Sequence, residues 1–274
     1  MATPIGNLRD ITLRALDVLA AADVIACEDT RTTGRLLKAH GIATRMTPYH
    51  EHNAARVRPG LLRRLESGEV VALVSDAGTP LISDPGFRLV SEVQAAGIDV
   101  VAVPGPSAAL AALVASGMAT DRFLFAGFLP ARGPARRSAL SALAGIDMTL
   151  VFFESARRLP GSLKDMAAVL GPREAVVARE LTKIYEELRR ASLPDLVAHY
   201  AEAGPPKGEV VVVVGPPEDP PGDLDDAGDI DEPLRAALEA MSLKDAVAAV
   251  SGASGRARRE VYARALEIRG GSKK

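Results

Sequence analysis

The stretch that decides the fold is VVALVSDAGTP, at residues 70–80. Its first part, residues 70–74, is an unbroken apolar run, which is typical of a strand buried on both faces. The rest is polar and contains a glycine and a proline, which end the strand in a turn. Helical patterns lie on either side, at residues 54–67 and 87–96. Strands that alternate with helices in this way predict a parallel α/β sheet.

The same alternation continues in both directions. Toward the N-terminus, a helix at residues 13–22, capped by Asp10 or Thr12, precedes a buried strand at residues 24–27. We predict two α/β domains, over residues 1–120 and 121–216. Their further strands are predicted at 99–103, 149–153, 175–178, 185–189 and 209–214, and their further helices at 108–116, 159–170 and 193–202.

The C-terminal part of the chain has a different composition. Residues 217–232 are rich in proline, glycine and aspartate, which predicts a flexible acidic linker. Residues 233–274 contain three short helical patterns and many arginines. They predict a basic helical module that contacts a polyanion, with a solubilising tail as the alternative.

Composition disfavours several classes of protein. Cys27 is the only cysteine, so the chain has no internal disulfide and no cysteine-based metal site. The histidines lack metal-ligand spacing, so no metal is expected. The chain has no Walker loop, dinucleotide fingerprint or GxSxG elbow, which disfavours kinases, dehydrogenases and serine hydrolases. With no signal peptide and no apolar run of ~20 residues, a cytoplasmic protein without membrane contact is expected.

Four turns are candidates for ligand binding, because ligands of open parallel sheets bind beyond the carboxyl ends of the strands. Small residues in such turns let the backbone approach a ligand closely. Ser107 adds a hydroxyl at the start of a helix. Each turn alone is also compatible with an ordinary strand-to-helix loop. The turns are residues 3–7, 28–31, 75–80 and 104–107.

Seven motifs follow one another along nearly the whole chain. They are TPIGNLRDIT at 3–12, CEDTR at 27–31, SDAGTPLISDPG at 75–86, VPGPSA at 103–108, GFLP at 127–130, FFES at 152–155 and RELTK at 179–183. Together they resemble the bacterial 16S rRNA 2′-O-methyltransferase I proteins, a branch of the tetrapyrrole methylases. The C-terminal helical piece resembles the basic module of that branch.

The resemblance implies a two-domain tetrapyrrole-methylase-like fold that binds S-adenosylmethionine in the cleft between the domains, as a homodimer. It implies 2′-O-methylation of a cytidine ribose in 16S rRNA of the small ribosomal subunit. The residues that it implies for cofactor binding are Pro4, Gly6, Asp76, Ala77, Gly78, Thr79, Pro80, Pro104, Gly105 and Ser107.

A ribose hydroxyl is a weak nucleophile, so the enzyme must align it with the methyl donor and provide a base. Candidate proton acceptors are Asp29, Glu154, Glu180 and Lys183. We expect Glu180 and Lys183 to be essential and leave the base unassigned. A lysine serves as base only with a lowered pKa, and Lys183 can instead hold a phosphate. Local ion pairs and solvated charges are the alternatives at these positions.

Arginines cluster at two places that suit phosphate contact. Some surround the predicted domain junction and others lie in the C-terminal module, and a solvated helix face is the alternative at the first place. The predicted RNA-contacting residues are Arg132, Arg136, Arg137, Arg256, Arg258, Arg259 and Arg264.

Two other functions stay open at this point, a porphyrin or precorrin methylase and a non-catalytic RNA-binding protein on the same fold. The chain also departs from the resemblance at its start. Only Met1 and Ala2 precede the first motif, where the family places a β-strand. We therefore expect the natural chain to begin upstream of Met1.

Overall fold

The computed structural model describes residues 1–84, 86–217, 230–254 and 258–271. The chain divides into two units, Met1–Pro217 and Glu218–Lys274. The first unit contains two sheets, one on each side of residue 120, and the second contains helices. The predicted α/β class and the C-terminal helical module are confirmed.

The first sheet has three parallel strands in the order β2-β1-β3. They are β1 (Val24–Cys27), β2 (Met46–Pro48) and β3 (Val71–Val74). Every residue of β1 is buried, as expected of a central parallel strand with helices on both faces. The sequence predicted β1 and β3, but β2 is too short to show an apolar pattern.

Four helices connect and cover this sheet. They are α1 (Leu13–Ala21), α2 (Thr30–Ala39), α3 (Ala54–Glu66) and α4 (Phe87–Ala95). Thr12 caps α1, where its hydroxyl accepts from the Ala15 amide at 3.1 Å. Asp29 caps α2 and accepts from the Arg31 amide at 2.8 Å. No helix was predicted at α2, because its first half is polar and it buries only one apolar pair, Leu36 and Leu37.

The strand predicted at residues 99–103 is wrong, since this segment has no regular secondary structure. A strand needs a neighbour to satisfy its backbone groups, and residues 99–103 form no ladder with any described strand. Residues 1 and 2 instead lie between this segment and β3. The Met1 amine donates to the Leu73 carbonyl at 2.8 Å, and the Ala2 amide donates to the Val103 carbonyl at 3.2 Å.

The second sheet has five strands in the order β4-β5-β8-β6-β7. Only β4 and β5 pair in parallel; the other three pairs are antiparallel. The strands are β4 (Phe123–Phe128), β5 (Thr149–Ser155), β6 (Glu174–Arg179), β7 (Glu187–Ser192) and β8 (Glu209–Val214). No strand was predicted at β4, which lies just after the predicted domain boundary at residue 120, and the strand predicted at 185–189 begins two residues before β7.

Helices cover both faces of this sheet. α7 (Leu159–Leu170) and α8 (Leu193–Ala203) join the cluster around Leu150 and Phe152, together with α6 (Gly133–Ser141). α5 (Ala108–Ser116) packs on the other face with Val151. Alternate residues of β5 therefore point into two different cores, and the strand reads as a continuous apolar run.

The C-terminal unit contains α9 (Asp231–Ala240), α10 (Leu243–Ser254) and α11 (Arg258–Gly271). Its core includes Leu234 and Val261. All three helices were predicted. Most of the predicted linker, residues 218–229, lies outside the described residues, and its last two residues begin α9. No described helix is long and apolar enough to span a bilayer.

Candidate functional site

A cavity of about 400 Å³ lies within the first unit, between the turn that follows β3 and the second sheet. One wall comes from the turn and the loop after it, and the others from the start of α5 and the ends of the central strands. The lining residues are Ile5, Ala77, Gly78, Thr79, Ile82, Ser83, Asp84, Ser107, Ala108, Phe128, Phe153, Glu154, Ser155, Ala156, Ala178, Leu181, Gly208, Glu209, Val210 and Val211.

Hydrogen bonds join the predicted turns to one another next to this cavity. Thr3 and Gly78 exchange two hydrogen bonds of 2.9 Å each, and Gly78 has a φ of 77°, which favours glycine. The Thr79 hydroxyl donates to the Pro106 carbonyl at 3.2 Å. The Asp29 amide donates to the Asp76 carboxylate at 2.9 Å. The other three turns are thus each hydrogen-bonded to the turn at residues 75–80.

The residues predicted for cofactor binding divide into two groups. Ala77, Gly78, Thr79 and Ser107 line the cavity, and Ser107 also caps α5. The others are absent from the lining. Three of them contact neighbouring segments: Asp76 accepts a hydrogen bond from the Asp29 amide, Gly6 packs on Lys183 and Gly105 packs on Ala2. Pro80 lines a neighbouring groove, Pro4 is half-buried and Pro104 is exposed.

The turn between β6 and β7 carries Glu180 and Lys183 and is held in an unusual conformation. Glu180 and Thr182 have φ values of 51° and 66°, in the left-handed region that non-glycine residues seldom adopt. The Thr182 hydroxyl accepts from the Asn7 amide at 3.1 Å. Gly6 lies against the same turn, so the first motif of the chain is docked on the seventh.

Lys183 is a fixed cation in this arrangement. Its Nζ lies 2.8 Å from Glu180 Oε1 and 2.8 Å from Glu209 Oε2. Desolvation lowers the pKa of Lys183, but the hydrogen bonds to the two glutamates outweigh this effect and raise the pKa above its usual value. The lowered pKa that a lysine base requires is therefore absent.

The other candidate bases are also engaged. Glu154 is buried and its carboxylate accepts from the Ser155 amide, the Ser162 hydroxyl and Arg158. The Arg31 side chain holds the pKa of the Asp29 carboxyl down at about 2. The hydrogen bond from Lys183 likewise lowers the pKa of Glu180.

Sequence reasoning missed Asp84 and Glu209, which both line the cavity. Burial, and then the nearby Glu28 carboxylate, raise the pKa of Asp84 to about 6. The signal for Asp84 was present in the second half of the SDAGTPLISDPG motif, whose first half alone was assigned to the site. Glu209 begins β8 and gave no signal beyond its position at a strand end.

The walls of the cavity are mostly apolar, and its charged groups are all acidic. Asp84, Glu154 and Glu209 are carboxylates, and no Lys, Arg or His occurs among the described lining residues. A site of this kind attracts a partly apolar cation and repels phosphate. Among the described residues, no group of His, Cys, Asp and Glu has a metal-binding arrangement.

The predicted RNA-contacting arginines have different surroundings. Arg136 is only 9% exposed and forms an ion pair of 2.6 Å with Asp165. Arg137 also pairs with Asp165, at 3.1 Å, while Arg132 is exposed at the start of α6. In the C-terminal unit, Arg264 pairs with Asp231 and Glu267. Arg256 and the side chains of Arg258 and Arg259 lie outside the described part.

Comparison with protein families supports the assignment of the fold. Residues 2–197 match the model of the Tetrapyrrole (Corrin/Porphyrin) Methylases, and residues 225–269 match the RsmI C-terminal HTH domain. Among solved structures, uroporphyrin-III-C-methyltransferase from Thermus thermophilus has a TM-score of 0.56 at 24% identity, covering 78% of this chain and 91% of that one. A diphthine synthase has a TM-score of 0.62 at 17% identity, covering 77% and 87%.

Curated relatives are much closer in sequence. A ribosomal RNA small subunit methyltransferase I from Mesorhizobium japonicum is 52% identical, over 98% of this chain and 91% of the relative. A protein of the same name from Escherichia coli O157:H7 is 47% identical, over 98% and 94%. The chain is therefore a methyltransferase of the tetrapyrrole methylase family and belongs to its ribosomal RNA small subunit methyltransferase I group.

Proposed function

We propose that this protein transfers a methyl group from S-adenosylmethionine to the 2′-oxygen of a cytidine ribose in 16S rRNA, at position 1402. The single observation that carries the donor assignment is the acidic, mostly apolar cavity bounded by the glycine-containing turn at Gly78. The rRNA acceptor is inferred from the names of relatives that are about half identical over nearly the full length.

The residues of the cavity suit S-adenosylmethionine. Phe128, Phe153 and Ile5 offer apolar surface for an adenine ring, and Glu209 offers a carboxylate to a cationic ligand. The volume is within the usual range for a small-molecule site. When bound, S-adenosylmethionine supplies a methyl group on a positively charged sulfur, and no acid is needed because the sulfur leaves as a neutral thioether.

The protein's own part is positioning. Ser107 and the turn at Ala77–Thr79 present hydroxyl and backbone groups toward the donor, and the fixed turn at Glu180–Lys183 supports the opposite wall through Glu209. Holding the acceptor hydroxyl in line with the methyl carbon accounts for a large share of catalysis in a reaction of this kind.

Phosphate contacts must lie outside the acidic cavity. Arg132 and Arg137, at the start of α6, are exposed enough to meet an RNA backbone. We assign the basic C-terminal unit the same part, because residues 233–274 concentrate arginine and match a helix-turn-helix domain. We propose that the protein works in the cytoplasm as a homodimer.

The alternative functions have less support. A tetrapyrrole substrate is suggested by the description of the matching family model and by solved structures less than 25% identical to this chain, which share its fold. A non-catalytic RNA-binding protein would have no need of an acidic cavity bounded by three of these joined turns.

The test is methyl transfer to 30S subunits from a strain that lacks this gene, followed by nucleoside mass spectrometry. We expect 2′-O-methylcytidine to appear only with protein and S-adenosylmethionine together. Transfer to another nucleotide would correct the position, and transfer to a tetrapyrrole but not to subunits would overturn the proposal.

A further inference from the structure

The loop that follows the Gly78 turn has an unusual backbone conformation. Leu81 and Ser83 have φ values of 71° and 63°, although neither is a glycine. Such conformations cost energy and are retained where the surrounding structure imposes them, often at functional sites. Here they turn three consecutive side chains, Ile82, Ser83 and Asp84, toward the cavity.

The loop is also held from the opposite sheet. Gly127 lies at a register shift in β4 with a φ of 63°, and a Cβ at this position would stand 3.3 Å from Ser83 Oγ. The missing side chain of Gly127 therefore makes room for Ser83. Ser83 therefore packs against β4, and Asp84 follows it directly in the same loop.

Asp84 has an electrostatic environment unlike that of the other carboxylates in the cavity. Glu154 forms a salt bridge with Arg158, and Glu209 forms one with Lys183. The charged groups that face Asp84 are instead the carboxylates of Glu28 and Asp76, and the Ser75 hydroxyl offers it one hydrogen bond. Burial and these like charges raise the pKa of Asp84 to about 6, which suits a proton acceptor near neutral pH.

We propose that the Asp84 carboxylate is the base that takes the proton from the attacking ribose 2′-hydroxyl. This inference rests on the function proposed above. The ribose oxygen forms a bond to the methyl carbon while the carbon–sulfur bond breaks, and that electron pair stays on sulfur. The hydroxyl proton passes to Asp84 Oδ and then to solvent.

The first experiment compares Asp84→Asn, Asp84→Glu and the control Asp147→Asn, whose side chain is 81% exposed at the far end of the second sheet. Single-turnover methyl transfer to 30S subunits and S-adenosylhomocysteine binding by calorimetry are measured for each. Asp84→Asn is expected to lose at least about 100-fold in rate, with binding within about threefold. Asp84→Glu is expected to recover part of the rate, and the control to match the unmodified protein.

A second measurement is independent of turnover. Carbon-13 NMR of aspartate carboxyls, with the Asp84 signal identified by its loss in Asp84→Asn, is expected to give a titration near pH 6. The unmodified rate is expected to rise tenfold per pH unit below that point and level off above it, a limb that Asp84→Asn lacks.

The outcomes separate the two proposals. An Asp84→Asn protein that keeps its rate within threefold, or one that loses ligand binding along with rate, overturns the assignment of the base. An Asp84 carboxyl that titrates near pH 4 does the same. Absence of transfer by the unmodified protein, with ligand binding intact, overturns the proposed function and the inference together.

Discussion

Gly6 lies so close to Lys183 that a Cβ on the glycine would stand 2.5 Å from Lys183 Cγ and 2.9 Å from Lys183 Cε. The contact joins the first motif of the chain to the turn between β6 and β7, more than 170 residues away. A side chain at position 6 has to displace the lysine, the loop or both.

Gly6→Ala should therefore lower stability by about 1–3 kcal/mol through overpacking and reduce methyl transfer at least tenfold, since Lys183 and Glu209 move together. Urea denaturation and single-turnover rates measure the two effects. Gly60→Ala is the matched control, because Gly60 is in α3 and a Cβ there would lie 4.0 Å from Arg63 Nη2, an ordinary van der Waals contact. It should leave the rate unchanged and raise stability slightly. Equal behaviour of the two variants would show that the close approach has no consequence.

Lys183 should act as a permanent cation. Its pKa is raised by Glu180 and Glu209 despite desolvation, so the ammonium does not titrate between pH 7 and 9. Lys183→Arg is expected to keep at least a tenth of the rate, whereas Lys183→Gln leaves two carboxylates without their cation and should lose more than about tenfold. The rate of the unmodified protein should be flat from pH 7 to 9. A rise over this range that disappears in Lys183→Arg would identify the lysine as the base instead.

The turns beside the cavity could be recognised in the sequence, but the pKa values of their carboxyl groups could not. Polar turns after strands can be recognised in a sequence because they interrupt apolar runs, and the structure joins all four of them. Whether Asp29 or Asp84 is the stronger acid depends on Arg31 in one case and on burial beside Glu28 in the other. Such pairings across the fold have no signature in local sequence.

The errors in the predicted fold arise from weak apolar patterns and from a strand partner that is absent among the described residues. The strand β2 and the helix α2 were missed because few of their residues are buried, so the apolar pattern is weak. The segment at 99–103 has an apolar pattern but forms no ladder with a described strand. Strand formation depends on a partner that local composition does not reveal.

Asp84 should destabilise the folded protein at neutral pH. A carboxyl with a higher pKa in the folded protein than in the unfolded chain binds its proton more tightly when folded. Its contribution to stability is present below about pH 4 and is lost as the pH rises through about 6. Asp84→Asn should therefore raise the free energy of unfolding by about 1 kcal/mol at pH 7.5, allowing for solvent screening of this half-buried group.

Urea denaturation at pH 7.5 and pH 4.5 measures the difference, which should shrink at the lower pH, where Asp84 is protonated. A more stable but less active variant is what a functional carboxylate in an unfavourable place should give. A loss of stability in Asp84→Asn at pH 7.5 would contradict the electrostatic argument, whatever the activity.

Arg132 and Arg136 should respond differently to substitution, because Arg136 is buried and Arg132 is exposed. Arg136 pairs with Asp165 at 2.6 Å, and both side chains are 11% exposed. Arg136→Ala leaves Asp165 with only the half-exposed Arg137 as a partner, so it should cost about 3 kcal/mol, at the low end for breaking a buried ion pair. Arg132 is exposed at the start of α6, so Arg132→Ala should change stability by less than about 0.5 kcal/mol.

For RNA binding we expect the opposite order, with a larger effect of Arg132→Ala than of Arg136→Ala. Removing a phosphate contact at Arg132 should weaken binding to 30S subunits and reduce the slope of log Kd against log salt concentration by about one. Arg122→Ala is the control, since Arg122 is exposed just before β4, at the end of that strand away from the cavity. Filter binding over a salt series measures all three variants. An unchanged salt slope in Arg132→Ala would remove this residue from the RNA surface and leave the C-terminal unit as the place where phosphate contact must be sought.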